Sequence, residues 1–247
     1  MKDVYILIYI LMYKKKKILV VIPARSGSKG IKNKNLKRIG GLSLVEHSIK
    51  HAKKSKYIDL ISVSTDCKRI QKIAIAQKVW CNTLRPKKIS GDKSITSQAI
   101  VHVLKEIKKK FDYIIEIHPT HVFRENNLID DAISKLILNQ KLDSLISVVK
   151  IQSTSHPDFV IKKSKLNKIY FKKSPSIFNR HFLKDYYKST GVILISKVSS
   201  FLKYKQMCNG NCYGYEIKNF LNFNNIDNVN DYELTKILWK KYGNKKF

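Results

Sequence analysis

Residues 18–22, Ile-Leu-Val-Val-Ile, form an unbroken apolar run rich in β-branched side chains, and the run stops at Pro23. A run without alternation buries both of its faces, so it predicts a strand inside a parallel sheet. A loop follows at once. Its Gly27, Ser28, Lys29 and Gly30 permit a sharp turn and expose backbone N–H groups, while Arg25, Lys29, Lys32 and Lys34 gather cationic side chains around the same peptide units. Small residues for close backbone approach, with fixed positive charge beside them, make a cradle for a polyphosphate. A solvated turn between strand and helix is the competing reading. The patterns G-x-x-x-x-G-K-[ST] and G-x-G-x-x-G are both missing, which excludes two familiar nucleotide loops.

Beyond this loop the apolar periodicity alternates between helix and strand. Ser43-Leu44-Val45-Glu46 has capping-box spacing, and Val45, Ile49 and Ala52 continue it as a helix. Residues 58–64 predict a strand ending in Ser64-Thr65-Asp66, and Ile70, Ile73, Ala74 and Gln77 mark a second helix face. After Leu84-Arg85-Pro86, Thr96 opens a helix striped by Ile100, Val103, Leu104 and Ile107. Residues 113–117 predict a strand running into His118-Pro119-Thr120; the next helix carries Leu128, Ile129, Ala132, Ile133, Leu136 and Ile137, and the next strand covers 145–149. Strict alternation implies a parallel sheet with helices on both faces. Ligands of such sheets lie beyond the carboxyl ends of the strands, so the loops starting at Pro23, Thr65, Pro119 and Lys150 are expected to meet on one rim.

Between about 152 and 188 the alternation fails. The stretch is polar, aromatic and basic, and it predicts an inserted arm rather than another βα unit. Residues 192–195 and 213–217 resume the sheet, and Asn230 with Glu233 is expected to cap a last helix through Leu234, Ile237 and Leu238. Residues 1–17 stand apart as an N-terminal extension. Their apolar run, 4–13, is shorter than the roughly twenty residues that span a bilayer, and it has neither a basic leader region nor a small-residue cleavage site. A start at Met12 is the simple alternative, an interfacial anchor backed by Lys14–Lys17 the other.

At 247 residues with 43% hydrophobic content, residues 18–247 fit one globular domain. The formal net charge of +31 raises nucleic acid or an anionic surface as a partner. Arginine, however, occupies only Arg25, Arg38, Arg69, Arg85, Arg124 and Arg180, and the lysines that supply the rest are scattered over every segment. A nucleic-acid surface groups arginines, so the expectation is a solvated lysine surface with no specific nucleic-acid partner. Cys67, Cys81, Cys208 and Cys212 are too few and too irregular for a disulfide framework or a four-cysteine zinc site, which fits reduced thiols in a cytoplasmic protein. His47 and His51 have helical i, i+4 spacing but lack the intervening Glu and a third ligand of a zinc helix.

The string Pro23-Ala24-Arg25-Ser26-Gly27-Ser28-Lys29-Gly30, with Lys34-Asn35-Leu36 after it, resembles the P-A-R-x-x-S-K-G…K-N motif of the acylneuraminate cytidylyltransferases, the CMP-sialic acid synthetases. The resemblance runs on in the family's order to about residue 239. Val63-Ser64-Thr65-Asp66 resembles its V-S-T-D, and Leu84-Arg85-Pro86 with Asp92 its L-R-P…D-T, with Lys93 in place of threonine. Pro119-Thr120 and Arg124 match Q-P-T-S-P-L-R, although His118 stands where glutamine is typical and His121-Val122-Phe123 replaces Ser-Pro-Leu. Arg180 and Gly191 keep the spacing of R…N-G with Thr190 at the asparagine position, and Asn225-Ile226-Asp227-Asn228 aligns with D-I-D-T, its first aspartate replaced.

The resemblance implies a three-layer αβα fold of the nucleotide-diphospho-sugar transferase type, with a mostly parallel sheet and an inserted dimerisation arm. It implies a nucleotidyltransferase that moves CMP from CTP to the anomeric hydroxyl of a nonulosonic keto-sugar acid and releases pyrophosphate. Arg25 and Lys29 would then be catalytic on the phosphates; Ala24, Gly27, Ser28, Asn35, Arg85 and Thr96 would bind the nucleotide with them; His118, Arg124 and Arg180 would surround the sugar; and Asp227 with Asn225 would hold Mg²⁺. The partners implied are CTP, the sugar acid and a second copy of the chain; the short apolar run at 4–13 separately argues for no stable membrane insertion. The His118, His121 and Thr190 departures lie in the sugar half, which points to a relative of sialic acid such as a legionaminic, pseudaminic or deaminated nonulosonate. A 3-deoxy-octulosonate cytidylyltransferase is the enzymatic alternative; a catalytically weak basic nucleic-acid or anion-binding relative is the non-enzymatic one.

Overall fold

A computed structural model describes residues 16–165, 168–171 and 183–243. Its centre is a six-stranded sheet in the order β10-β6-β9-β5-β1-β4. The strands are β1 (Ile18–Pro23), β4 (Leu60–Ser64), β5 (Tyr113–Glu116), β6 (Ser144–Lys150), β9 (Tyr187–Lys197) and β10 (Cys212–Glu216). Two small ribbons lie outside the sheet: β2 (Arg38–Ile39) with β3 (Leu42–Ser43), and β7 (Ile161–Lys163) with β8 (Ile169–Phe171). The helices are α1 (Leu44–Lys54), α2 (Lys68–Ala76), α3 (Thr96–Ile107), α4 (Leu128–Leu138), α5 (Val198–Tyr204) and α6 (Val229–Tyr242).

The opening apolar run sits where its composition demands. Every residue of 18–22 is at most 1% exposed. Ile18, Val20 and Ile22 face one cluster, closed by Val45 and Ile49 of α1, Ile70 of α2 and Ile133 of α4. Leu19 and Val21 face the other, closed by Ile100 and Val103 of α3 and Phe201 of α5. Burying one such side chain stabilises by about 1.5–3 kcal/mol, so a strand packed on both faces is the natural spine of three layers. Ser43 and Glu46 form the expected capping box at the start of α1: the Glu46 amide donates to Ser43 Oγ, and Glu46 Oε2 accepts from the Ser43 amide at 2.8 Å.

Pairing is parallel for β1 with β4, β1 with β5 and β6 with β10, but β9 runs antiparallel to both β5 and β6. Alternation does not reach β9: among the described residues no helical crossover lies between β6 and β9. Between β6 and β9 the described residues form two single 3₁₀ turns and the antiparallel ribbon β7–β8, with Ile161 opposite Phe171. The last helix is capped two residues earlier than its spacing suggests. Asn228 Oδ1 accepts from the Asp231 amide at 3.0 Å, and Asp231 returns the bond to the Asn228 amide. Its Leu234 and Ile237, expected in the core, are 49% and 64% exposed. The helix is seated instead through Trp239, whose ring meets His47 at 4.8 Å and Phe123 at 5.6 Å.

His47 and His51 serve as buried donors on α1, not as a metal pair. Nε2 of His47 bonds to the Ile39 carbonyl at 2.8 Å and Nε2 of His51 to the Val122 carbonyl at 3.0 Å. Burial, then the neighbouring Arg124 charge, pulls the His51 pKa down to about 3 from 6.5. Burial likewise lowers His47. The folded value lies below the unfolded one, so stability present at neutral pH is lost as pH falls through 6.5 towards 3, by about 2 kcal/mol at pH 5 for His51 alone. The melting temperature is therefore expected to drop between pH 7 and pH 5, with a shallower slope in His51→Asn; a flat profile would contradict the buried, neutral assignment.

Candidate active site

The carboxyl ends of β1 and β5 open onto one cleft of about 450 Å³; of the four loops expected on this rim, those starting at Pro23 and Pro119 line it, and those starting at Thr65 and Lys150 do not. The loop after β1 supplies Arg25, Gly27 and Ser28, and the turn behind it supplies Lys34 and Asn35. Arg85 and the stretch from Ile89 to Thr96 form a second wall; His118 to His121, with Thr190 and Gly191, form the floor at the far side; Asn225 and Asp227 close the cleft from the segment before α6.

The loop is held by short polar ties rather than by a helix of its own. Asp66 accepts from the Ser26 amide at 2.7 Å and the Ser26 hydroxyl at 2.5 Å, and Asn35 Nδ2 donates to the Arg25 carbonyl at 2.9 Å. Gly30 has no room for a side chain, because a Cβ there would lie 2.1 Å from the Asp227 carbonyl oxygen. This close approach joins the loop to the Asn225–Asp227 segment. Ile226, the residue between, donates its amide to the Thr120 carbonyl at 3.2 Å. Three loops far apart in sequence thus meet at one point.

The charges in the cleft are partly paired with one another. Arg25 Nη2 lies 3.1 Å from Asp92 Oδ1 and Lys29 Nζ 3.2 Å from Asp92 Oδ2, so a single carboxylate bridges both cations, and their proximity holds Asp92 below the usual carboxylate range. Arg25 Nη1 also donates to the Gly91 carbonyl at 2.6 Å. Lys34 Nζ donates to the Ile226 carbonyl at 2.9 Å and to Asp227 Oδ1 at 3.2 Å, while Asn225 Nδ2 donates to Asp227 Oδ2 at 2.5 Å. Arg85 is different. Only 6% of it is exposed, its backbone amide is fixed to the Thr65 carbonyl at 2.7 Å, and its Nε and Nη2 are buried without a partner among the described residues. Buried donors of a native protein are almost always paired, so two unpaired ones in a cleft wall mark a place for an acceptor.

Of the residues assigned a role from sequence, Arg25, Gly27, Ser28, Asn35, Arg85, Thr96, His118, Asn225 and Asp227 line this cleft. Ala24 is fully buried beneath it, its amide on the Ser64 carbonyl at 2.9 Å. Lys29 stands at the edge with its side chain 81% exposed. Arg124 corrects the sequence reading: it is wholly buried and spends its donors on the carbonyls of His118, His121 and Val192, so it supports the floor and does not face a sugar. Arg180 lies outside the described residues. Lys34, read from the sequence as one of the cradle's cations and part of the K-N motif, lies 3.2 Å from Asp227, which ties it to the segment before α6. His121 and Thr190, placed in the sugar half by the sequence without a contact of their own, and Gly191 also line the cleft; His121 arrives through the turn after β5, and Thr190 and Gly191 through the long-range pairing of β9.

The oxygens of Asp227 and Asn225 are hard donors of the kind Mg²⁺ takes, and no group of three or more His, Cys, Asp or Glu side chains suited to a metal occurs among the described residues. That donor set fits an ion which keeps its waters and shares a substrate phosphate, not one caged by protein. No helix among the described residues is long and apolar enough to cross a membrane.

The chain is 29% identical over 235 residues to an N-acylneuraminate cytidylyltransferase from Escherichia coli; the match covers 93% of this chain and 54% of that protein, so the chain spans about half its length. It is 28% identical to post-translational flagellin modification protein B of Campylobacter coli, over 91% of this chain and 95% of that one. Among solved structures, a CMP:2-keto-3-deoxy-manno-octonic acid synthetase complexed with CTP superposes with a TM-score of 0.70 at 18% identity, covering 91% of this chain and 99% of the other. That likeness concerns the fold. A model of the cytidylyltransferase family matches residues 19–241, nearly the whole described chain, and with the loop, the sheet and the cleft in place the protein belongs to the cytidylyltransferase family.

Proposed function

We propose that the protein transfers CMP from CTP to the anomeric hydroxyl of a nonulosonic keto-sugar acid, with release of pyrophosphate. The observation that carries the reading is the pair of unpartnered Arg85 donors in a cleft whose other wall is the basic loop after β1. Two neighbouring N–H donors match the O2 and N3 acceptors of a cytosine, whereas uracil presents a donor at N3. Arg25 and Lys29 take the triphosphate, exchanging Asp92 for phosphate oxygens, and Lys34 adds fixed charge beside Asp227. Fixed cations aimed at the leaving pyrophosphate stabilise the charge that develops there. Asp227 and the Asn225 carbonyl oxygen would hold Mg²⁺; when bound, that ion supplies further neutralisation of the triphosphate. His118, Thr120 and Thr190 offer hydrogen bonds to a polyhydroxylated acid on the floor. CTP places the reaction in the cytoplasm. The resemblance to the acylneuraminate enzymes adds a homodimer, in which the arm after β6 reaches the neighbour's cleft.

Pyrophosphate release from CTP and Mg²⁺ is expected with at least one of N-acetylneuraminate, a legionaminate or a pseudaminate, and release with 3-deoxy-octulosonate alone would move the acceptor to the eight-carbon class. Lys29→Ala should lower the rate about 10²–10³-fold, and Arg85→Lys should raise KM for CTP and relax selectivity against UTP. No release with any of the four, together with tight salt-sensitive DNA binding, would overturn the reading in favour of an anion-binding relative. Asn225→Asp adds a second carboxylate to the metal site and is expected to keep or raise activity; a large loss would show that this segment does not hold the ion. Sedimentation at micromolar concentration should give a dimer, and monomers alone would remove the exchange of arms.

A further inference from the structure

Glu116 is the last residue of β5, opposite Val21 of β1 and Leu194 of β9, and is 3% exposed. A carboxylate enclosed by apolar neighbours is costly unless a partner meets it. Here the partner is His118 Nε2, at 2.9 Å, and His118 lies on the floor of the cleft with a third of its side chain exposed. We propose that Glu116 and His118 act as a dyad in which His118 accepts the proton of the attacking sugar hydroxyl and Glu116 positions it. The proposal rests on the cytidylyltransferase reading and adds a proton acceptor to it.

The geometry sets the tautomer. Nε2 lies 2.9 Å from Glu116 Oε1, an approach the neutral ring makes with its proton on Nε2, which leaves the lone pair of Nδ1 for a substrate proton. In the reaction the anomeric O–H proton passes to Nδ1, the oxygen forms a bond to the α-phosphorus, and the bond from that phosphorus to the bridging oxygen breaks. Pyrophosphate leaves with the electron pair. The imidazolium that results faces the Glu116 carboxylate, so the charge develops where a fixed opposite charge waits.

The other lining side chains that can accept a proton are less suited. Asp227 has one oxygen on Lys34 and the other on Asn225. His121 is 2% exposed, and burial, followed by the charge of Arg124, holds its pKa well below the usual histidine value. His118 alone of the three combines access to the cleft with a buried carboxylate behind the ring.

The test uses the full chain with CTP, Mg²⁺ and whichever of the four acids supports turnover. Glu116→Gln preserves size and a hydrogen-bond acceptor for the imidazole but removes the charge. It is expected to lower kcat about 10–100-fold while KM for CTP and the CTP-induced shift in melting temperature stay within twofold. His118→Ala is expected to lose about 10²–10⁴-fold in kcat, with part of the rate restored by added imidazole. Unchanged kcat in Glu116→Gln would overturn the dyad, as would a loss in His118→Ala that imidazole does not relieve while CTP still raises the melting temperature. If His118→Ala does not fold, His118→Gln takes its place, and a kcat within threefold of the parent would overturn the role of the ring. In each of these outcomes the parent enzyme still turns over, so the cytidylyltransferase reading stands. Silence of the parent protein with all four acids would instead overturn that reading and the dyad with it.

Discussion

The buried guanidinium of Arg124 holds the site together. Its Nη1 and Nη2 donate to the carbonyls of His121 and His118, each at 2.6 Å, and its Nε reaches the Val192 carbonyl at 3.2 Å. Nη1 also lies 3.4 Å from Ser48 Oγ on α1. One planar fork therefore ties the loop after β5 to the antiparallel strand β9 and to the first helix. Each carbonyl left buried without its donor costs about 1–3 kcal/mol, so loss of this guanidinium is felt at several points at once. The same cation lowers the pKa of His51 and His121 after burial has done so, which keeps a cluster of core histidines neutral around it.

A rigid floor gives meaning to the unpaired groups above it. With residues 118–121 fixed from below, Glu116 can present His118 to the cleft, and the Thr120 carbonyl can anchor the Asn225–Asp227 segment through the Ile226 amide. That segment in turn abuts Gly30 and holds Lys34. The basic loop is thus fastened at both ends, by Asp66 below and by the segment before α6 above. Preorganised charge of this kind needs no rearrangement when an anion arrives, beyond release of Asp92 from Arg25 and Lys29.

Much of this was legible from residue order. Residues 18–22 announced a strand buried on both faces, and Ser43 with Glu46 announced the start of α1, because each signal is local and unambiguous. The antiparallel course of β9 was not legible, since strand direction depends on what the preceding arm does in space. Leu234 and Ile237 have helical spacing yet face outward, because the helix packs inward through Tyr232, Thr235 and Trp239. In the site, motif residues on the loop and the Asn225–Asp227 segment reached the cleft as expected. Arg124 did not, and nothing in a linear string distinguishes an arginine that grips a ligand from one that grips three carbonyls beneath it. Glu116 was equally silent: a single acid at the end of an apolar strand acquires a role only when His118 is seen 2.9 Å away.

The central claim is that this cleft receives a cytidine triphosphate with its phosphates on the loop after β1 and its base against Arg85. A crystal structure with CTP bound tests it most directly. The account predicts triphosphate oxygens in contact with Arg25, Ser28 and Lys29, Asp92 displaced, and the cytosine within hydrogen-bond reach of Arg85 Nε and Nη2. A nucleotide bound elsewhere, with Asp92 still bridging Arg25 and Lys29 and the Arg85 donors still empty, would contradict it.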